Sequence, residues 1–399
     1  MLIEKHIVIQ YNISKSIKIN HILSGVSYMI IGIPKEIKNH EYRVGLVPNS
    51  VRELIANKHQ VIVEQKAGAG IGFSDQDYMD AGATIANTAE EVFAKANMIV
   101  KVKEPLAQER ALLTKDHVLF TYLHLAPDHA QTQDLIDSGA VCIAYETVTS
   151  DNKQLPLLAP MSEIAGRMSI QAGAQALEKS RGGCGLLMGG VPGVLPTKVL
   201  ILGGGTVGRN AAQMAVGMGA DVTILDRNID TLRQLDMQFG SKVKTLYSTP
   251  SAIDDLVKKT DLIIGGVLIP GAAAPKLITK EHIRMMKEGS AIVDVAIDQG
   301  GCIETSTPTT HHEPTYIVDH VVHYCVANMP GAVAKTSTFA LNNVTLPYIL
   351  KLANLGYKEA LKQDPHLCNG LNVMHGHVTC EEVAQAHDLP YTPASTLIS

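Results

Sequence analysis

Short apolar runs and amphipathic stretches alternate along this chain from Met29 onward. The apolar runs predict buried strands within residues 29–34, 59–65, 96–105, 117–126 and 140–148. Helical spacing predicts a helix at 48–58, and a second helix follows Ser74, which forms a weak capping box with Asp77. Strands that alternate with helices indicate a mainly parallel sheet, in which ligands bind at the carboxyl ends of the strands.

The same alternation continues in the second part of the chain. Ser162 is predicted to cap a long helix, and the proline-rich passage before it is interpreted as a hinge between two domains. Residues 182–193 are too rich in glycine for a regular element, and no helix follows them directly, so we interpret them as a loop rather than a phosphate cradle. Further strands are predicted at 198–202, 221–226, 261–269 and 290–297, and a helix at 279–287.

A glycine-rich segment, GGGTVG, lies between an apolar strand and a helix and has the pattern G-x-G-x-x-G. In this context the pattern predicts a dinucleotide-binding (Rossmann) fold. Gly203 would allow the tight turn, Gly205 the close approach of a pyrophosphate, and Gly208 the close packing of helix on strand. Asp226 ends the next strand and is expected to bind the adenosine ribose, which favours NAD over NADP. Arg227 beside it qualifies this preference, since an arginine could hold a 2′-phosphate.

Ionisable residues stand near the predicted carboxyl ends of several strands. In the first part these are Lys101, Lys103 and His124. Taken alone, His124 is either a core histidine bonded to a carbonyl or an acid/base group at a cleft, and its place at a strand end favours the second. In the second part, Asp298 follows a strand and is interpreted as catalytic rather than as a loop carboxylate that caps N–H groups. Asp294, within that strand, is predicted to be structural.

Composition and charge exclude some classes of partner. The 399 residues are 46% hydrophobic and 18% charged, which is enough for two domains with cores of their own. The net charge of −5 comes without a basic block, so there is no electrostatic footprint for nucleic acid. Six scattered cysteines without a CxxC pair indicate free thiols in a reducing compartment, and we expect a cytoplasmic protein.

Histidines near the end of the second part do not predict a metal site. His320 and His323 lie in an apolar stretch, where the alternation of a strand places them on opposite faces. His311, His312 and the histidines of the segment MHGHVT are interpreted as surface residues.

Residues 1–28 differ from the rest of the chain. They are rich in isoleucine and lysine, without the continuous apolar core and cleavage site of a signal peptide. Because Met29 resembles the start of a domain, we expect this extension to be an upstream-start artefact or a dispensable arm; the alternative is an extra edge strand or an interface arm. No segment of the sequence reaches the ~18 uninterrupted apolar residues of a membrane helix.

Nine segments together closely resemble one family, the bacterial L-alanine dehydrogenases. They are GIPKEIKNHEYRVGLVP (32–48), VKVKEP (100–105), FTYLHLA (120–126), AYETV (144–148), LPLLAPMSEIAGR (155–167), LMGGVPGV (187–194), GGGTVG (203–208), DVAIDQGGC (294–302) and YCVANMPGAVAKTST (324–338). The resemblance implies an α/β fold of two doubly wound domains with the active cleft between them. A Rossmann domain at 157–334 would be inserted in a discontinuous substrate domain, formed by 29–156 and 335–399. It also implies a homohexamer.

The resemblance further implies roles for individual residues. Arg43 and Lys103 would hold the substrate carboxylate, and Lys103 would also stabilise the developing carbonyl or imine. His124 would transfer protons as acid and base, and Asp298 would orient water and relay protons. The implied cofactor contacts are Ser162, Gly203, Gly205, Thr206, Val207, Gly208, Asp226, Ser248, Val267, Leu268, Val295, Asp298, Val326 and Asn328, the last of them near the nicotinamide.

The activity that this resemblance implies is the reversible, NAD-dependent oxidative deamination of L-alanine to pyruvate and ammonia, without a metal, membrane or nucleic-acid partner. An alternative is the soluble NAD(H)-binding component of a proton-translocating transhydrogenase, which hands hydride to a partner subunit. The joint presence of Arg43, Lys103, His124 and Asp298, without a membrane span, argues against it. A third interpretation, a non-enzymatic NAD-sensing module, predicts a degraded substrate site.

Overall fold

The computed structural model describes residues 28–399 apart from residue 153 and residues 268–273. The extension before Tyr28 and part of the strand predicted at 261–269 therefore lie outside the described residues. The chain is divided into two compact units. The first unit contains the residues up to 158 together with 334–399, and the second unit contains residues 159–333.

The described residues form fifteen β-strands. They are β1 (Ile30–Ile33), β2 (Gln60–Glu64), β3 (Thr84–Ala86), β4 (Met98–Val100), β5 (Val118–Thr121), β6 (Val141–Ala144), β7 (Lys198–Leu202), β8 (Asp221–Asp226), β9 (Val243–Tyr247), β10 (Leu262–Gly265), β11 (Ala291–Asp294), β12 (Thr315–Val318), β13 (Val321–Tyr324), β14 (Leu371–Met374) and β15 (His377–Val378).

Fifteen α-helices connect or follow these strands in the same part of the chain. They are α1 (Pro48–Ala56), α2 (Asp75–Asp80), α3 (Ala89–Lys95), α4 (Ala107–Arg110), α5 (His129–Ser138), α6 (Ala159–Ala176), α7 (Thr206–Gly217), α8 (Ile229–Phe239), α9 (Pro250–Val257), α10 (Lys280–Met285), α11 (Ala334–Leu355), α12 (Tyr357–Gln363), α13 (Pro365–Cys368), α14 (Glu381–His387) and α15 (Ala394–Leu397). No helix among the described residues is long and apolar enough to cross a membrane.

The first unit contains an eight-stranded sheet with the order β15-β14-β6-β5-β4-β1-β2-β3. The strands β1 to β6 pair in parallel, and the C-terminal segment adds β14 and β15 in antiparallel orientation. Since β1 is flanked by β2 on one side and β4 on the other, the strand order reverses between β1 and β4. Ligands of open α/β sheets bind outside the carboxyl ends of the strands at such a switch point.

The second unit contains a seven-stranded sheet with the order β12-β13-β11-β10-β7-β8-β9. Six strands are parallel, and β12 is an antiparallel edge strand beside β13. Here the order reverses between β7 and β10, so the glycine-rich segment after β7 lies at the switch point.

Apolar side chains cover both faces of each sheet. In β7, Val199 and Ile201 belong to one core cluster, and Leu200 and Leu202 belong to another. Successive side chains of a strand point to opposite faces, so these two clusters lie on opposite sides of the second sheet. In the first unit, Leu119 belongs to a third cluster and its neighbour in β5, Phe120, is equally buried. The predicted fold class, two doubly wound α/β domains, is confirmed; the antiparallel strands β12, β14 and β15 were not predicted.

Several local predictions are confirmed by the structure. The strands predicted at 198–202 and 221–226 are β7 and β8. The Ser74 side chain accepts a hydrogen bond from the backbone N–H of Asp77, whose carboxylate in turn accepts from the N–H of Ser74, so the capping box is complete. Residues 182–193 form turns and no regular strand or helix.

The prediction that Ser162 caps the long helix is wrong. Helix α6 begins at Ala159, three residues earlier, and Ser162 lies inside its first turn. Pro160 is the second residue of the helix, where a fixed φ is compatible with helical geometry and the missing N–H has no intrahelical partner to lose. Pro160 is therefore part of helix α6 and not of the proline-rich passage before it.

Candidate functional site

The strands of the first unit end earlier than their apolar sequences predict, because carboxylates take over the backbone N–H groups. Strand β4 ends at Val100, and Glu36 Oε1 accepts from the N–H groups of Val102 (2.7 Å) and Lys103 (3.3 Å). Strand β5 ends at Thr121, and Glu146 Oε1 accepts from the N–H of His124 at 2.6 Å. The chain thus leaves the sheet where its candidate site residues lie.

Four adjacent parallel strands place these residues at one edge of the first sheet. Arg43 follows β1, Lys103 follows β4, His124 follows β5 and Glu146 follows β6, and these strands are neighbours in the order β6-β5-β4-β1. The carboxyl ends of parallel strands meet at the same edge, so the three residues predicted to handle the substrate are brought together within this unit.

Arg43 is a buried guanidinium with only 2% of its surface exposed. Glu41 binds it through two parallel hydrogen bonds, from Nε to Oε1 at 2.7 Å and from Nη2 to Oε2 at 2.6 Å. Burial opposes the charge, but the contact with Glu41 outweighs it, so that the pKa of Arg43 is raised. A two-point contact of this kind fixes the plane of the guanidinium.

Lys103 is a half-buried lysine next to this pair. Burial lowers the pKa of Lys103; Glu104 opposes this effect, and the nearby positive charges of Arg43 and Lys38 reinforce it. No hydrogen bond to the Lys103 ammonium is found among the described residues, because Glu104 pairs with Lys38 instead. Since Arg43 contributes to the lowered pKa of Lys103, the two cations lie close enough to repel each other. An anion between them would relieve that repulsion.

Lys101 stands near the same strand end, but its side chain points into the core. It is fully buried and pairs with Glu36 Oε2 at 3.2 Å and with Glu109 Oε1 at 2.6 Å. The other oxygen of Glu109 accepts from the N–H of Leu106 at 2.8 Å. Lys101 is thus the centre of a buried ion network beneath the site, and removing one partner of such a network typically costs about 3–5 kcal/mol of stability.

His124 lies three residues beyond β5 rather than at its last residue. Its backbone is left-handed, with φ of +50°, and 42% of its side chain is exposed. The ring is parallel to that of Tyr122, with 5.8 Å between centroids and 5° between planes, and the Tyr122 hydroxyl donates to the carbonyl of Leu157 at 2.6 Å. The interpretation of His124 as a buried core histidine is therefore wrong. Tyr122, Leu123 and Leu125 are buried, as expected, but they belong to a loop.

Glu146 is a functional candidate that sequence reasoning missed. Its carboxylate accepts from the N–H groups of Leu123 and His124, and Oε1 lies 3.8 Å from His124 Nδ1. It is carried by the short turn Tyr145–Thr147 after β6. The available signal was a carboxylate directly after an apolar strand, in the segment AYETV. Glu41 and Glu36 were missed in the same way, although both lie within the segment that also contains Arg43.

Apart from Ser162 on α6, the predicted cofactor contacts of the second unit that the structure describes follow six neighbouring strands. In the order of the sheet, these contacts are Val326 and Asn328 after β13, Val295 and Asp298 after β11, Val267 after β10, Gly203–Gly208 after β7, Asp226 at the end of β8 and Ser248 after β9. Neighbouring strands are about 4.8 Å apart, so this row spans roughly 24 Å, enough for an extended dinucleotide. Leu268 lies outside the described residues.

The glycine-rich segment has the geometry of a phosphate-binding turn. Gly203 is left-handed, with φ of +91°, and a Cβ on Gly208 would lie 1.8 Å from the carbonyl oxygen of Gly203. Gly205 immediately precedes helix α7, and a Cβ there would meet no described atom within 4 Å. The roles predicted for Gly203 in the turn and Gly208 in packing are confirmed. Open space at the N-terminus of a twelve-residue helix suits the pyrophosphate of NAD.

Asp226 joins this turn to the end of β8. Its Oδ2 accepts from the N–H of Gly204 at 2.7 Å, and its Oδ1 accepts from the N–H of Asn228 at 2.7 Å. Thr206 is exposed in the first turn of α7, whereas Val207 is buried. The carboxylate is therefore held beside the glycine-rich turn; its contact with the adenosine ribose stays a prediction.

Three further residues of the second unit have distinct surroundings. Asp298 is exposed in the short 3₁₀ turn Val295–Gln299 after β11. Asp294 is fully buried and accepts from the N–H groups of Cys302 and Ile303, as its predicted structural role requires. Burial raises the pKa of Asp294. Ser162 is half-buried on α6, four residues before Gly166, where a Cβ would lie 2.3 Å from the carbonyl oxygen of Val207.

The remaining histidines bind separate partners. His323 Nε2 lies 2.7 Å from the Thr305 hydroxyl, whereas His320 Nε2 lies 3.2 Å from the carbonyl of Met286. His312 is exposed, but His311 is only half-exposed; its Nε2 lies 2.8 Å from the carbonyl of Asn328. His311 is therefore not the simple surface residue that the sequence predicts.

Comparison with known proteins identifies close relatives of this chain. Two family models match it: "Alanine dehydrogenase/PNT, N-terminal domain" over residues 32–165 and "Alanine dehydrogenase/PNT, C-terminal domain" over residues 169–381. The chain is 57% identical to the alanine dehydrogenase of Halomonas elongata and 52% identical to that of Mycolicibacterium smegmatis, in each case over 93% of this chain and 100% of the relative.

Solved structures give the same result. An L-alanine dehydrogenase that is 54% identical matches with a TM-score of 0.88 over 90% of this chain and 99% of its own. A transhydrogenase from Sinorhizobium meliloti matches with a TM-score of 0.76 over 88% of this chain and 99% of its own, but at 24% identity this likeness shows the fold alone.

Proposed function

Because the chain belongs to the alanine dehydrogenase/PNT family, we propose that it catalyses the reversible oxidative deamination of L-alanine to pyruvate and ammonia. It is an NAD-dependent oxidoreductase, as its relatives of 52–57% identity are alanine dehydrogenases. The observation that carries the proposal is the group Arg43, Lys103 and His124 at one edge of the first sheet. It combines two neighbouring cations with an exposed imidazole, as an α-amino or α-keto acid substrate requires.

Arg43 and Lys103 hold the substrate carboxylate in the proposed reaction. Glu41 keeps the guanidinium plane of Arg43 fixed, so the carboxylate meets a donor group that is already oriented. The backbone of Lys103 is fixed by Glu36, while its ammonium stabilises negative charge that develops on the substrate oxygen. Preorganised donors of this kind typically contribute about 10²–10³ in rate.

His124 transfers the protons in the proposed reaction. NAD, when bound, would supply the acceptor for the hydride of Cα of alanine, and the substrate iminium would then add water and lose ammonia. His124 takes a proton from the attacking water and returns one to the leaving amine. Glu146 and Tyr122 orient its ring, and Asp298 of the second unit would orient the water.

The second unit holds the cofactor in this proposal. The N-terminus of α7 binds the pyrophosphate, Asp226 the adenosine ribose, and Asn328 the nicotinamide end. The carboxylate of Asp226 disfavours a 2′-phosphate, so NAD is the preferred cofactor. We further propose that the enzyme is a cytoplasmic homohexamer; free thiols at all six cysteines support a reducing compartment.

A product assay tests the function. Purified protein with NAD and L-alanine should form NADH, pyruvate and ammonia in equal amounts, and addition of pyruvate and ammonia to protein with NADH should reverse the reaction. The same protein should not transfer hydride from NADH to a second nicotinamide nucleotide in the absence of substrate. Hydride exchange between nucleotides without any turnover of alanine would instead favour the transhydrogenase alternative.

A further inference from the structure

The turn that carries Asp298 is followed by a sharp reversal of the chain. Asp298 lies in the turn Val295–Gln299, and Gly300 and Gly301 follow with φ of +87° and +72°. Two consecutive left-handed residues turn the peptide groups so that neighbouring carbonyl oxygens face the same side. Such a cluster of carbonyl dipoles is unfavourable unless a cation or several donors neutralise it.

Lys276 supplies that cation. Its ammonium donates to the carbonyl oxygens of Gly300, Gly301 (2.9 Å) and Ile303 (3.3 Å). Its three N–H groups thus match three carbonyl oxygens that come from four consecutive residues. An ammonium has three donors and no acceptor, so this contact uses its whole hydrogen-bonding capacity.

The opposite side of the same turn is held by an anion. Asp294 accepts from the N–H groups of Cys302 and Ile303, at 3.4 Å and 3.3 Å. The segment that carries Lys276 also lies alongside, since the N–H of Leu277 donates to the carbonyl of Cys302 at 2.7 Å. The turn is therefore clamped by a carboxylate on its N–H side and an ammonium on its carbonyl side.

We propose that Lys276 is a positioning residue, which holds the turn after Asp298 and thereby fixes the Asp298 carboxylate for proton transfer. This inference rests on the proposed function for the role of Asp298, but the clamp itself does not depend on it. Lys276 acts through the backbone of 300–303 rather than by contact with the reacting atoms. Its removal should loosen the turn and lower turnover, while the binding of L-alanine, which Arg43 and Lys103 hold in the proposed reaction, changes little.

Lys276→Ala tests the clamp, with Lys244→Ala as its matched control. Like Lys276, Lys244 is an exposed lysine, and its ammonium pairs with Asp221. It is the second residue of β9 and lies away from the predicted site residues. Hydrogen exchange of the amides in 298–303 should be faster in Lys276→Ala than in Lys244→Ala and the unsubstituted protein. Equal exchange in all three proteins would overturn the proposal.

Steady-state kinetics in the direction of deamination then test the consequence for catalysis. Lys276→Ala should lose at least about tenfold in kcat, with little change in KM for L-alanine, since small displacements of a catalytic group are costly. Propylammonium, the part of the side chain that the substitution removes, should restore turnover, whereas tetramethylammonium, which has no N–H, should not.

The outcomes separate this inference from the proposed function. A kcat for Lys276→Ala that equals that of Lys244→Ala would overturn the positioning role. If the unsubstituted protein does not reduce NAD with L-alanine, the proposed function fails, and hydrogen exchange in 298–303 still decides whether Lys276 holds the turn.

Discussion

The two sheets carry different chemical groups at the edge where the carboxyl ends of their parallel strands meet. The edge of the first sheet carries ionisable side chains, among them Arg43, Lys103 and His124, and neighbouring carboxylates hold their backbone or side chains in place. The edge of the second sheet has its main contacts in the backbone, at Gly203–Gly208, with Asp226 as the principal charge. The first edge should therefore be sensitive to a lost functional group, and the second to an added carbon atom.

Removal of the imidazole should have the largest effect. His124→Asn should lower kcat by roughly 10²–10⁴-fold, because it removes the proposed acid/base group. The affinity for NADH, measured by the fluorescence of bound NADH, should be unchanged, since Asp226 and the glycine turn are untouched. His312→Asn, at an exposed histidine, is the control and should retain full turnover. Equal activity of both variants would remove His124 from the mechanism.

The addition of a single methyl group to Gly208, in the second unit, should have the next largest effect. Gly208→Ala places a Cβ 1.8 Å from the carbonyl oxygen of Gly203, so the turn must shift, at a cost of about 1–3 kcal/mol. The Kd for NADH should rise roughly tenfold to hundredfold, as measured by titration. Gly217→Ala, in the same helix but with nothing within 4 Å of the added Cβ, should bind NADH normally. Normal binding by Gly208→Ala as well would refute a close packing requirement.

Glu146→Gln sharpens the account of the first edge. The amide oxygen can still accept from the N–H groups of Leu123 and His124, but the charge 3.8 Å from His124 Nδ1 is lost. A hydrogen bond to a charged group is worth about 1.5–3 kcal/mol and one to a neutral group about 0.5–1.5 kcal/mol, so the loop that carries His124 is held less firmly and kcat should fall roughly tenfold. KM for pyruvate should change little, since Arg43 and Lys103 remain. A raised KM with unchanged kcat would show that Glu146 serves substrate binding instead.

The smallest predicted effect is a pH dependence of pyruvate binding at the edge of the first sheet, where Lys103 lies. The lowered pKa of Lys103 means that its ammonium loses a proton at a lower pH than an ordinary lysine, for which the pKa is about 10.4. The affinity of the enzyme–NADH complex for pyruvate, which has no titrating group in this range, should therefore weaken as pH rises toward that value. In Lys103→Arg the affinity should stay constant over the same range. A wild-type affinity that does not vary would contradict the role of Lys103 as a cation for the substrate.

The sequence predicts regular elements well where local patterns suffice. Strand β7 is a continuous apolar run after Lys198, β8 is a short strand bounded by aspartates at both ends, and the glycine pattern between β7 and α7 requires one geometry. The Ser74 capping box is likewise a local interaction over three residues. Such features depend on neighbouring residues only, so a single sequence contains the information that they need.

The misses depend on partners that are distant in the sequence. Lys101 and Lys103 both follow β4, yet the side chain of Lys101 is buried and binds Glu36, which is 65 residues away in the sequence. His124 leaves the strand because Glu146, 22 residues later, takes its N–H. Sequence reasoning placed His124 correctly near the sheet edge, but it could not identify the carboxylate that holds it there.

Transfer of deuterium from alanine to the cofactor tests the central claim most directly. The protein should be incubated with NAD and L-alanine deuterated at Cα, and the reduced cofactor analysed by mass spectrometry. The account predicts that the NADH formed carries the deuterium, and that His124→Asn forms far less of it while still binding NAD. Absence of NADH, or NADH without deuterium, would contradict hydride transfer from alanine and with it the proposed function.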